Sequence, residues 1–114
     1  MTWDDQAHPS VECPIGEFFG QGWGLKYEWS CLFLAAAPKE GNALVSYFPM
    51  PFGSRARVEF VNRSEHRVDA FYAYADLEER PVADDEGRFH AQFRAGLTTP
   101  SGDRENDWAL FGPY

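Results

Sequence analysis

The chain is short of most residues that announce a chemistry. Among 114 residues there are two cysteines, three histidines and two methionines. Cys13 and Cys31 form no CxxC, and His8, His66 and His90 are scattered, so the ligand spacing of a zinc site is missing. No metal and no cofactor are expected. Two cysteines are too few for a disulfide framework, and reduced thiols are the expectation. No apolar run approaches the roughly 20 residues of a membrane span. The opening "MTWDDQAHPS" has no apolar signal-peptide core, so a cytoplasmic location is expected. Positive charge is also scarce. Ten Lys and Arg face 18 Asp and Glu, leaving a net charge of −8, which argues against a nucleic-acid backbone as partner. Arg55, Arg57, Arg63 and Arg67 do cluster, and they read as a solvated face. No G-x-S-x-G elbow is present, and "GQGWG" lacks the Lys-Ser/Thr of a phosphate loop.

Aromatics, glycine and proline are plentiful instead. Phe, Tyr and Trp make up 17% of the chain, with ten glycines and eight prolines. Burial therefore leans on large rings, and the elements are short and joined by tight turns. The length suits one domain spanning 1–114. No repeat, low-complexity tract or heptad pattern divides it.

Period-two alternation gives the fold class. In "RARVEFV", Ala56, Val58 and Phe60 face one way while Arg55, Arg57 and Glu59 face the other. "NRSEHR" supplies turn chemistry, and "VDAFYAYADLE" resumes the alternation with Val68, Ala70, Tyr72 and Tyr74. An antiparallel hairpin is expected, with Arg55–Val61 paired to Arg67–Ala75. "ALVSYFPM" and "RFHAQFRA" read as further strands, and "PVADDEG" as a solvated loop. "SCLFLAAAPKE" is open between a two-turn helix ended by Pro38 and a buried strand. The tail is polar until an apolar patch at Trp108–Phe111.

Chemistry concentrates in "VECPIGEFFGQGWG", Val11 to Gly24. Glu17 stands between Gly16 and the Phe18–Phe19 pair, where apolar rings partly desolvate a carboxyl. That setting suits an acid catalyst and equally suits a glutamate capping a tight turn. Trp3, Phe18, Phe19, Trp23, Trp29 and Tyr47 offer ring faces for stacking on sugars or for core packing. Asp84, Asp85 and Glu86 read as a solvated turn. No catalytic residue is assigned.

Three stretches in order resemble one family. "WDDQAHPSVECPIGEFFGQGWG" is similar to W-D-G-x-x-x-P-S-V-x-V-P-L-G-D-F-F-G-x-G. "VSYFPMPFGSRARVEFVNRSEHRVDAFYAYADLE" is similar to C-Y-F-P-M-P-F-x-x-x-A-R-I-x-I-E-N followed by Y-Y-x-I-D-Y-E. "GRFHAQFR" is similar to G-x-F-H-A-Q-W-R. Together, from Trp3 to Arg94, they resemble glycoside hydrolase family 172, which contains difructose dianhydride and D-arabinofuranoside hydrolases.

The resemblance implies an all-β fold, an antiparallel jelly-roll-like sandwich corresponding to the latter part of the family's first jelly roll. It implies a furanoside ligand contacted by Glu17, Phe18, Phe19, Trp23 and Asp76, and assembly as a homo-oligomer or with a companion chain. Glu17 stands where the family usually has Asp, Val61 where it has Glu, and Leu77 where it has Tyr. The family's catalytic glutamates lie in E-G-D and G-T-G-T-E-D-Y motifs of a second jelly roll, and this sequence contains neither. "EGN" at Glu40 to Asn42 is the nearest string, and it precedes the hairpin. Three readings follow: a truncated or split relative inactive alone, a small carbohydrate-binding or assembly module, and a furanosidase with carboxylates relocated to Glu17 with Asp76 or Glu78.

Overall fold

The computed structural model describes residues 1–37 and 39–96. The fold is all-β, and the described residues form seven short strands and one turn of helix: β1 (Thr2–Trp3), β2 (Val11–Glu12), α1 (Ile15–Phe18), β3 (Trp29–Ser30), β4 (Leu34–Ala36), β5 (Leu44–Ser46), β6 (Ala56–Arg57) and β7 (Ala91–Gln92). The apolar patch expected at Trp108–Phe111 lies outside the described residues. No helix among the described residues is long and apolar enough to cross a membrane.

Within the ambiguous run "SCLFLAAAPKE", Leu34–Ala36 fold as a strand. β4 is the centre of an antiparallel meander, with Trp29 opposite Ala36 on one side and Leu34, Ala35 and Ala36 opposite Ser46, Val45 and Leu44 on the other. Small Ala35 and Ala36 let both neighbours approach, and Ala36 is fully buried. The return from β4 to β5 places Lys39, Glu40 and Gly41 at positive φ. Gly41 is required there on two counts, its φ of 80° and the carbonyl oxygen of Tyr27 that would lie 2.5 Å from an added Cβ.

Two pairings tie distant parts of the chain together. β1 pairs antiparallel with β6, Thr2 opposite Arg57 and Trp3 opposite Ala56. β2 runs parallel to β7, Val11 opposite Ala91 and Glu12 opposite Gln92. Trp3 is the largest fully buried side chain, and its indole Nε1 donates to the Phe89 carbonyl at 2.7 Å. A buried indole thus keeps its polar handle satisfied. Beside it runs a file of rings. Phe19 meets Phe18 edge-on at 5.0 Å, Phe18 meets Phe89 at 6.2 Å, Phe89 meets Phe48 at 5.0 Å, and Phe48 stacks on Phe33 at 5.0 Å.

The expected hairpin is corrected. The strand in its first arm, β6, pairs with β1, and no strand forms between Val58 and His90 among the described residues. Its turn does form: Asn62 Oδ1 accepts from the Ser64 amide at 3.0 Å, and Asn62 Nδ2 donates to the His66 carbonyl at 2.8 Å. Phe60 and Phe71 also meet, their centroids 4.6 Å apart. The arms therefore touch through rings without a backbone ladder. The ladder of β6 is made with β1 and ends at Arg57, and among the described residues the alternation of Val58–Val61 and Arg67–Ala75 is not converted into backbone pairing.

Candidate functional site

The corner Val11–Gly24 is built around two aromatics from the next segment. Gly20 takes a φ of 75°, and a Cβ there would lie 2.1 Å from the Trp29 ring. The glycine is thus the floor on which Trp29 lies. Trp29 Nε1 donates to the Phe19 carbonyl at 2.9 Å, and the Tyr27 hydroxyl donates to the Gly20 carbonyl at 2.6 Å. Gln21 is buried, and its Nε2 donates to the carbonyls of Gly41 at 2.7 Å and Tyr27 at 3.1 Å. One amide thereby satisfies two loop carbonyls and locks the corner to the β4–β5 turn.

Within this corner the residues singled out from the sequence separate. Glu17, Phe18 and Phe19 sit together on and after α1, all half-buried. Phe18 and Phe19 line a narrow recess of about 70 Å³ with Val11, Cys13, Val58 and Phe60. Burial pushes the Cys13 thiol pKa up, and the neighbouring Glu17 carboxylate adds to the shift. Trp23 stands apart, 90% exposed with a φ of 60°. Asp76 is exposed on the segment without strands. Trp3, offered by the sequence as a stacking ring, belongs to the core instead.

A second locus was not visible in the sequence. Asp4 Oδ1 accepts from the backbone amides of Gly53 and Ser54, each at 2.7 Å, and Oδ2 accepts from Arg88 Nε at 2.6 Å. The Gly53 and Ser54 amides, then the Arg88 guanidinium, hold the Asp4 carboxyl well below the usual carboxylate range. Asp4 itself adopts a φ of 51°, a strained geometry that its own hydrogen bonds offset. Nothing in "WDD" marks this role, because the partners lie 49 to 84 residues away.

The larger concavity is also new. A recess of about 420 Å³ is lined by Thr2, Asp5, Gln6, Arg55, Arg57 and Glu59 among others. Its walls carry two ion pairs, Arg55–Asp5 at 2.8 Å and Arg57–Glu59 at 2.7 Å. Its volume lies within the range of small-ligand sites, yet it has no aromatic wall of the kind such sites favour. These arginines, with Arg63 and Arg67, are exposed and ion-paired, the solvated face that the sequence implies. Among the described residues no three His, Cys, Asp or Glu side chains converge to hold a metal ion.

One comparison with known proteins agrees with the motifs as far as residue 73. No curated protein and no solved structure matches the chain. A family model described as GH172 domain-like matches residues 1–73. That span holds the glycine corner, the meander, the Asp4 clamp except Arg88, and the first turn of the exposed segment. This all-β chain belongs to the GH172 domain-like family.

Proposed function

We propose that the chain is a furanoside-directed, glycoside-hydrolase-related domain that supplies scaffold and sugar contacts but no catalytic carboxyl pair. The family match over residues 1–73 carries the reading. The sequence adds the other half, because it contains neither E-G-D nor G-T-G-T-E-D-Y. A retaining glycosidase needs two carboxyls about 5–5.5 Å apart, one as nucleophile and one as acid and base. Glu17 is half-buried against Cys13, whereas Asp76 and Glu78 stand in water on the exposed segment. That distribution favours a site whose acid pair comes from other polypeptide. In this reading the chain alone has no turnover, and its contribution is to position a sugar against Phe18 and Phe19.

Long incubation of the purified chain with aryl arabinofuranosides and fructofuranosides is the test, run beside Glu17→Gln. Neither protein should release the aryl group. Turnover in the wild type that vanishes in Glu17→Gln would overturn the reading and place a relocated acid at Glu17.

A second reading rests on Trp23. A tryptophan 90% exposed on a glycine-flanked loop presents an apolar face on which the C–H face of a sugar can stack. The chain would then act as a carbohydrate-binding module. Titration with arabinofuranose and fructofuranose oligomers should quench tryptophan fluorescence, and Trp23→Ala should remove the quench. A quench that survives Trp23→Ala moves the contact elsewhere.

A further inference from the structure

The two recesses described above meet at one carboxylate. The smaller, about 70 Å³, carries the rings of Phe18, Phe19 and Phe60. The larger, about 420 Å³, carries the pairs Arg55–Asp5 and Arg57–Glu59. Glu59 and Met1 line both. The alternation of "RARVEF" divides the two, with Val58 and Phe60 on the smaller recess and Arg55 and Arg57 on the larger. Neither recess is complete as a sugar site. The smaller falls below the roughly 300–1,000 Å³ of small-ligand sites, and the larger lacks an aromatic wall. A sugar resting on Phe18 and Phe19 must therefore extend past Glu59 into the larger recess. We propose that the two recesses form one binding cleft, and that the Arg57–Glu59 pair reads the vicinal hydroxyls of a sugar ring held there.

The chemistry of the pair suits a diol. Arg57 Nη2 meets Glu59 Oε1 at 2.7 Å, which engages one nitrogen and one oxygen. A guanidinium has five N–H donors and a carboxylate has two oxygens, so one contact exhausts neither group. The joined pair presents donors and an acceptor side by side. Of two hydroxyls on adjacent carbons, one accepts from the guanidinium while the other donates to the carboxylate. Bonds to ionised groups are roughly twice as strong as neutral ones. Stacking on Phe18 and Phe19 accepts any C–H face, so discrimination between sugars falls to these hydroxyl contacts. Both charged side chains are more than half exposed, so their mutual attraction contributes little to the fold and both remain accessible to a ligand. Glu59 stands at an open position of A-R-I-x-I-E-N, so the resemblance gives it no role.

This inference rests on the reading that a sugar is held against Phe18 and Phe19, and the test separates the two. In the nitrogen-15 spectrum of the full chain, methyl arabinofuranoside should shift the amides of Phe18 and Phe19 together with those of Gln6, Arg57 and Glu59. The wild type should bind this probe roughly tenfold tighter than methyl 2-deoxyribofuranoside, which lacks one hydroxyl of the diol. Glu59→Gln should erase most of that preference while its urea midpoint stays at the wild-type value. Arg57→Lys, which keeps the charge and loses the planar fork, should reduce the preference in the same direction. Shifts confined to Phe18 and Phe19, with the preference intact in Glu59→Gln, would overturn the shared cleft and leave the ring contact standing. Shifts at neither recess would overturn both the cleft and the reading beneath it.

Discussion

Residues 1–57 and residues 58–80 have similar β-prone, aromatic-rich compositions and opposite fates. Among the described residues the first region holds six of the seven strands, the helix and the buried side chains Trp3, Val11, Ala36, Ser10 and Gln21. The second holds no strand among the described residues, and Phe60, Phe71, Tyr72 and Tyr74 are exposed. Alternation alone therefore does not make a sheet. A strand persists where its backbone finds a ladder and its apolar face finds cover, and the first region provides both through contacts that are remote in sequence. The second has a good turn and one ring pair, which leave its amides to water.

The sharpest way to break this contrast is to remove the anchor of the first region. Trp3→Ala takes away the largest buried ring and its bond to Phe89, and should cost about 3–5 kcal/mol in urea unfolding. A loss no greater than that of a surface substitution would mean that Trp3 does not organise this region.

A smaller loss is expected at the glycine corner. Gly20→Ala must adopt a left-handed φ, which costs about 1–3 kcal/mol, and it also pushes the Trp29 ring off its floor. Near-ultraviolet dichroism should weaken along with stability, because Trp29 leaves a fixed environment. An unchanged spectrum would show that the corner tolerates a Cβ.

The Asp4 clamp gives the contrast a pH dependence. A carboxyl held below its ordinary value stabilises the fold fully above that value, about pH 4, and less as pH falls through the depressed folded pKa. Asp4→Asn carries no such titration. The gap in melting temperature between wild type and Asp4→Asn should be widest near neutrality and close as pH falls below about 4. A gap that stays constant into acid would remove Asp4 from the acid transition.

The smallest effect belongs to the exposed segment. At concentrations where the chain is monomeric, Tyr74→Ala should change unfolding free energy by no more than about 0.5 kcal/mol. A larger loss would show that Tyr74 is covered within its own chain, which removes the contrast between the regions.

Much of the site was legible where it depended on neighbours in sequence. The glycines of Val11–Gly24 marked a tight corner, Asn62 and Ser64 marked a turn, and the ordered motifs marked the family. Gln21, Tyr27 and Arg88 gave no signal, because a polar residue that satisfies a remote carbonyl or carboxylate looks like any surface residue in the string. Trp23 and Trp3 show the same limit from the other side. Both are tryptophans near aspartates or glycines, yet one is bare and the other is the core.

By itself the sequence determined the all-β class, the turn at Asn62–His66 and the family, since each of these is written in local pattern or composition. Tertiary structure alone decided that β6 joins β1, that β2 and β7 run parallel, that Leu34–Ala36 becomes a central strand, and that residues 58–80 have no ladder among the described residues. Pairing is a competition for backbone edges between segments far apart in the chain, and only the folded arrangement shows which segment wins each edge.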